Sequence, residues 1–353
     1  MSPILLDLSA LWDYPYTGGE QKANLMPFPA NIRVGPAGWS HDDWKGVVYP
    51  RHQPRGFHKT AYLSQYFPVI EINTSFYRPL RPELSLVWAK KVESLPCFEF
   101  TAKLYRGFTH ERNLDKEEVR RFSDGLAALV DYGRLGCLLM QFPWAFKYNV
   151  ENRRYLLRLK QAFRQYPLVA EMRHASWNSE EALKLFIEHE IGFCNIDQPQ
   201  LKQCLPPTSH ATSAIGYVRL HGRNYHEWFN FEERDPNRGG LSAVQARYNY
   251  LYAKPQLEKW KDRIERIASQ TRTTYVVTNN HFRGQAVANA LQLTEMISRA
   301  PVDVPSQLLD HYPELSPIAK NAPVQGSLFV MPPRRTGGSA PSAKKGRRPN
   351  TAA

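Results

Sequence analysis

The chain has 353 residues, 42% of them hydrophobic, enough for one large core or two small ones. No apolar run approaches the roughly 18 residues a membrane-spanning helix needs, and the opening Met1-Ser2-Pro3-Ile4-Leu5-Leu6-Asp7 lacks the basic-then-apolar order of a cleaved secretory signal. The formal net charge of +13 points to acidic partners, but six of those charges (Arg334, Arg335, Lys344, Lys345, Arg347 and Arg348) lie in a Gly-, Ser-, Pro- and Ala-rich tail with no acid after Glu314.

The four cysteines, Cys97, Cys137, Cys194 and Cys204, form no C-x-x-C pair and read as buried thiols of a reducing compartment, not as a disulfide frame or zinc site. With no signal and no span expected, that compartment is the cytoplasm. The basic tail cannot bury a core, so it is either a solubilising tail or an electrostatic arm for nucleic acid.

From Asn31 onward, short apolar runs alternate with helix-like stretches. The predicted strands are Ile32–Trp39, Val69–Tyr77, Phe98–Tyr105, Cys137–Pro143, Leu168–His174, Ile191–Asp197, Tyr217–Arg223 and Thr273–Asn280. Most are nearly continuous in apolar or β-branched residues, as strands buried on both faces should be. Asp115–Tyr132 opens with acids that suit a helix N-terminus, Asn178-Ser-Glu-Glu181 has a capping-box pattern, and Gly284–Arg299 carries apolar residues at helical spacing. The Pro-rich connection after the sixth strand shows no helix signal, and the long one after the seventh is interrupted at Pro255. Eight such units over about 270 residues match an α/β chain folded as a single TIM-type (β/α)₈ barrel. The rival, an open doubly wound sheet, would want a Gly-rich phosphate fingerprint that Gly35-Pro36-Ala37-Gly38-Trp39 does not supply. The expected division is an extension over 1–30, the barrel over 31–300, and a largely disordered tail over 301–353.

Chemistry in such barrels gathers at the carboxyl ends of the strands, and there this sequence turns polar. The motifs in order are Gly38-Trp39-Ser40 with a later Trp44-x-Gly46, Glu71-Ile-Asn-Thr-Ser-Phe-Tyr77, Gln141-Phe-Pro143, Glu171-x-Arg-His-x-Ser-Trp177, Tyr217-x-Arg-Leu-His-Gly-Arg223, and Asn279-Asn280 with Ala286-x-Ala-Asn-Ala-Leu291. These strings resemble the domain of unknown function 72 (YecE-like) family over roughly residues 31 to 299. The resemblance implies a TIM-type barrel and no established activity. His281 stands where the resemblance leads us to expect an acid after the paired asparagines.

Alternation along the strands aims Glu71, Glu171, Asp197, Lys103, Arg173, Arg219 and Arg223 at the barrel mouth, and puts Glu71, Asn73 and Ser75 on one face. The candidate catalytic residues are Glu71, Glu171, His221 and Asp197. A carboxylate held by arginine serves as a general base, yet pairs such as Glu171 with Arg219 serve equally as structural ion pairs. The candidate substrate and anion ligands are Lys103, Arg173, Arg219, Arg223, Asn279, Asn280, Trp39, Tyr77 and Trp177. Trp44, Tyr225 and Trp228 are expected at the same rim, as stacking platforms or as apolar cover. Arg219, Arg223 and the turn at Gly284 are expected to bind phosphate, since barrels use the loops after strands seven and eight with a helix N-terminus. Glu71, His110, Glu171, His174, Asp197 and His221 are the ligand types a divalent metal would take, but no close pair singles them out.

The leading expectation is an enzyme on a phosphate-bearing substrate, nucleic acid or nucleotide, of nuclease- or phosphodiesterase-like type. A sugar or sugar-phosphate isomerase or hydrolase and a non-catalytic binding module are the alternatives. In the tail, Gln325-Gly-Ser-Leu328-Phe329 resembles the Gln-x-Ser-Leu-Phe peptide that docks on the bacterial DNA sliding clamp. Gln325 would enter a polar pocket there, and Leu328 and Phe329 an apolar one.

Overall fold

The computed structural model describes residues 31–225 and 246–320. Eight parallel strands follow one another: β1 (Ile32–Pro36), β2 (Val69–Ile72), β3 (Glu99–Lys103), β4 (Leu135–Gln141), β5 (Leu168–Glu171), β6 (Gly192–Asp197), β7 (Ile215–Leu220) and β8 (Thr273–Thr278). Each pairs with the next from β2 to β8, and β8 returns to β1 with Ile32–Pro36 in register against Thr274–Thr278. The circle closes between β1 and β2 by an Ala37–Glu71 bridge, where Gly38 N donates to the Glu71 carbonyl at 2.9 Å. A β-carbon on Gly35 would lie 1.8 Å from the Val69 carbonyl oxygen, so the two strands approach this closely only with glycine there. The fold is a nearly closed TIM-type (β/α)₈ barrel.

Seven helices of six to sixteen residues matter for the outer ring. They are α1 (Pro82–Lys91), α2 (Lys116–Asp131), α3 (Val150–Ala162), α4 (Glu180–Glu188), α5 (Lys254–Ala268), α6 (Gln285–Ser298) and α7 (Ser306–His311). Asp115 caps α2, accepting from the Glu117 and Glu118 amides at 3.0 and 3.1 Å, and Ser179 caps α4, accepting from Ala182 N at 3.2 Å. Gly284 enters α6 with φ +82°, a conformation that suits glycine. Pro255 does not interrupt a helix: it sits in the first turn of α5, where a missing N–H costs nothing. No helix separates β6 from β7 among the described residues. The fully buried Asn195 fixes that connection instead, accepting from His210 N at 2.7 Å and donating to the His210 carbonyl at 2.9 Å.

Two expectations need correction. Strand β2 ends at Ile72, because Asn73 turns into the right-handed helical region and Thr74–Tyr77 forms a helical turn. Ser75 Oγ donates to the carbonyls of Ile72 and Lys103, so the alternation of Glu71, Asn73 and Ser75 breaks at the first step. Nor does the ordered fold stop near 300. Val302 bridges Ala319, α7 follows, and Leu308, Tyr312 and Leu315 are buried in the core. Those apolar side chains are too sparse to show a period, yet Leu308 lies against Gly284 and the Tyr312 hydroxyl donates to the Arg283 carbonyl at 2.8 Å. Cys137, Cys194 and Cys204 are buried, but Cys97 is exposed. Among the described residues no helix is long and apolar enough to cross a membrane.

Candidate functional site

A charged cluster fills the carboxyl end of the barrel, assembled from strands far apart in sequence. Arg219 on β7 is fully buried and holds two carboxylates: Nη2 donates to Glu71 Oε1 at 2.7 Å and Nη1 to Glu171 Oε2 at 2.5 Å. Nη1 also reaches Gln141 Oε1 at 3.1 Å, while Arg219 Nε is buried without a hydrogen-bond partner. Tyr217, two residues earlier on the same face, donates its hydroxyl to Glu71 Oε2 at 2.8 Å and accepts from Thr101. Glu171 Oε1 accepts from Arg173 Nη2 at 2.6 Å and lies 3.2 Å from His221 Nε2. Two buried carboxylates are thus compensated by forked, charge-assisted hydrogen bonds, the condition on which buried ions are tolerated.

The electrostatics follow from this packing. Burial pushes the Glu171 carboxyl upward, but Arg219, Arg173 and His221 together outweigh it and hold the group well below the usual carboxylate range. Burial lowers the His221 imidazole to about 3, with Arg173 and Arg219 adding to the effect and Glu171 opposing it. His221 is therefore neutral near pH 7. Asn279 Nδ2, 2.9 Å from Nδ1, acts as the donor there, which leaves the ring proton on Nε2 facing Glu171.

Lys103, at the end of β3, is the odd member. The nearest carboxylate oxygen, Glu71 Oε1 at 3.9 Å, is already engaged by Arg219, and Nζ lies 5.6 Å over the Phe76 ring. Burial, reinforced by Arg219, lowers its amine to about 7 against the pull of Glu71 and Glu171.

Other candidates do not join this cluster. Asp197 faces away from the barrel interior. It pairs in register with Leu220 while Ile196 pairs with Arg219, and it receives Arg223 on both oxygens at 2.8–3.1 Å, beside Tyr252 and Trp260. One residue of register is enough to move it to the sheet–helix layer. Asn280 donates to Asn289 Oδ1 and to the Tyr250 carbonyl, so the Asn-Asn and Ala-x-Ala-Asn-Ala-Leu motifs meet as structure. Gly284 packs on Val47, Val48 and Leu308, and Arg219 and Arg223 are each bound to carboxylates, so the three do not frame an anion pocket. Trp177 is fully buried against Phe146 and donates to its carbonyl, and Trp44 donates to the His281 carbonyl. His174 bonds Ser176 and His110 bonds Thr109. Among the described residues no three His, Cys, Asp or Glu side chains are grouped to hold a metal. Trp228, Gln325, Leu328 and Phe329 lie outside the described residues.

Tyr77 and Tyr225 are exposed, while Trp39 is buried edge-on to Trp88 with ring centroids 4.9 Å apart. Trp39, Trp88, Phe57, His41 and Asn73 line a cavity of about 500 Å³ at the same end of the barrel. His41 stacks on His281 at 4.3 Å, and burial with the neighbouring His41 and Lys103 charges lowers His281 to about 3. Where an acid was expected there is a neutral imidazole. The residues that reading the sequence missed are Tyr217, Gln141 and Phe76. All three lie inside the motifs, but only contacts between strands reveal their part.

The model of the family described as protein of unknown function DUF72 matches residues 33–311. The UPF0759 protein YunF of Bacillus subtilis is 30% identical over 282 residues, covering 75% of this chain and 94% of that protein. The crystal structure of a DUF72 family protein from Thermotoga maritima is 32% identical with a TM-score of 0.64, covering 76% of this chain and 99% of that one. A DUF72 family protein from Enterococcus faecalis shares the fold at 23% identity and TM-score 0.64, covering 78% and 98%. Sequence and fold agree over the whole barrel, and the chain belongs to the DUF72 family.

Proposed function

We propose that the protein is an enzyme of the barrel class acting on a phosphate-bearing substrate held at the barrel mouth. The observation that carries this reading is Lys103, a cationic side chain at the mouth whose nearest carboxylate oxygen is already bound by Arg219. An anion arriving there supplies the partner that the protein does not, and the permanently charged Arg173, partly exposed beside it, adds a forked donor. Glu171 then works as an ionised acceptor that orients His221, and Glu71 as the anchor of Arg219. Proton exchange near neutral pH falls to Lys103, because Glu171 stays ionised and His221 neutral.

Sulfate, with chloride at matched ionic strength as control, tests the reading. Sulfate should raise the melting temperature of the wild type by mass action, and should do so less in Lys103→Met. Equal melting in sulfate and chloride overturns it. The cavity beside the mouth, with Trp39 and Trp88 in its wall, supports a second reading in which the substrate is a sugar or sugar phosphate whose ring packs on indole. The basic tail and Gln325-Gly-Ser-Leu-Phe329 support a nucleic-acid substrate and docking on a DNA sliding clamp. Titration against a clamp, comparing wild type with Leu328→Ala/Phe329→Ala, checks that partner: loss of binding in the variant is expected.

A further inference from the structure

We propose that the cavity walled by Trp39 and Trp88 binds a monosaccharide carrying one anionic group, its hydroxyls met by Asn73, His41 and His58 and its charge by Lys59. The inference rests on the second reading above, in which that cavity takes a sugar, and adds to it the polar contacts and the charge. None of Glu71, Lys103, Glu171 or Arg219 lines the cavity, so its ligand is answered by a separate set of side chains.

The wall joins parts of the chain that meet only in the fold. Gly38, just after β1, has φ +76°, and a β-carbon there would lie 3.0 Å from His41 Nε2 and 3.1 Å from Asn73 Nδ2. Glycine thus leaves this corner to the two polar side chains. Trp39 and Trp88, edge to face with centroids 4.9 Å apart, supply with Phe57 the apolar side on which the C–H face of a sugar ring packs. The volume of about 500 Å³ is that of a small-molecule site.

The hydrogen-bonding groups of the wall ask for hydroxyls. Asn73 Oδ1 and His58 Nδ1 are buried and have no hydrogen-bond partner, a rare and costly condition that a ligand relieves. His41 Nε2 lies 3.2 Å from the Ala37 carbonyl, which only accepts, so Nε2 carries the proton and Nδ1 is left as an acceptor. A hydroxyl both donates and accepts, so it satisfies Asn73 Oδ1, His41 Nδ1 and either tautomer of His58.

The charges of the wall select the ligand's sign. Among the described residues that line the cavity there is no Asp or Glu, and Lys59 is the one lysine or arginine. Its Nζ lies 5.6 Å over the Tyr49 ring, and an aromatic face attracts an ammonium without neutralising it. Asp43, beside His41, turns instead to the Arg283 amide at 2.6 Å. Burial holds the His41 and His58 imidazoles below the usual histidine range, which leaves Lys59 as the cation of the wall near pH 7. A cationic sugar meets no counter-charge in this wall, whereas an anionic substituent meets Lys59.

An anionic monosaccharide comes from two sources, a sugar phosphate or a uronic acid. The experiment titrates the full chain by isothermal calorimetry with glucose 6-phosphate, glucuronate, neutral glucose and inorganic phosphate at matched ionic strength. One or both anionic sugars should bind roughly tenfold or more tighter than glucose, and Lys59→Met should remove that advantage. Asn73→Ala, whose side chain makes no cap bond to the turn that follows it, should weaken all three sugars alike. Tight binding of glucose 6-phosphate alone, or of glucuronate alone, supports the inference and names the source. Equal affinity for charged and neutral sugars overturns the role of Lys59 and leaves the sugar reading standing; no binding of any sugar overturns both. Affinity that falls in Lys103→Met and not in Lys59→Met, or inorganic phosphate matching glucose 6-phosphate, places the anion at the mouth and overturns the inference as well.

Discussion

Glu171 on β5 and Arg219 on β7 meet 2.5 Å apart although β6 lies between their strands, because both side chains point into the barrel. Glu171 also serves Arg173 and His221, so three donors depend on one carboxylate. Replacing Glu171 with Gln removes the charge and one acceptor without changing the volume. The expected cost is about 3–5 kcal/mol of unfolding free energy near pH 7, as for other buried pairs deprived of a partner. The sign with pH is fixed by the lowered folded value. The stabilisation is fully present above the unfolded carboxyl range and is lost as pH falls through the folded value. Denaturant titrations of wild type and variant should therefore differ most above roughly pH 5 and converge in acid. Equal stability near pH 7 would remove Glu171 from the structural pair.

Lys103 has the opposite linkage. In the unfolded chain it is protonated up to about pH 10.4, whereas in the fold its amine titrates at about 7. Below pH 7 both states carry the proton and the fold bears the whole cost of the buried charge. As pH rises from 7 towards 10, only the unfolded state keeps the proton, and the fold gains relative stability. Lys103→Met should accordingly be more stable than wild type at pH 6, with the gap narrowing at pH 9. Chemical denaturation at the two pH values measures it, and a gap that widens with pH contradicts the assignment.

His221 should stay neutral over the range in which an exposed histidine titrates, since its imidazole is lowered to about 3. In ¹⁵N-resolved imidazole spectra, its ring nitrogens should not shift between pH 5 and 8 and should show the Nε2–H tautomer. A midpoint inside that interval would mean the ring is protonated in the fold, and the orientation by Asn279 and Glu171 would need revision.

Gly35→Ala tests the closure of the barrel. Its β-carbon would lie 1.8 Å from the Val69 carbonyl oxygen, a backbone atom that cannot swing aside as a flexible side chain would. The cost should be at least the roughly 1–3 kcal/mol typical of overpacking. Thermal melts followed by circular dichroism should show a lowered midpoint, whereas an unchanged one would mean β1 and β2 can separate locally.

The barrel was legible because its strands, buried on both faces, read as continuous apolar runs, and its caps at Asp115 and Ser179 are local side-chain bonds. Glu71, Lys103, Glu171, Arg173, Arg219 and His221 were likewise in view, since each stands near the end of a strand whose place in the ring follows from chain order. What the residue string left open was the side of the sheet each one faces and what it touches there. Asp197 and Arg223 read as part of the mouth until register placed them in the outer layer. Asn73 and Ser75 read as strand until two hydroxyl bonds from Ser75 bent the chain. The segment from Val302 to Ile318 read as tail, because the partners of Leu308, Tyr312 and Leu315 are remote in sequence. The state of Lys103 is likewise a tertiary property. Lysine ordinarily keeps its proton, and here burial at the barrel mouth, with the charges of Arg219 and Arg173, lowers the amine against the pull of Glu71 and Glu171.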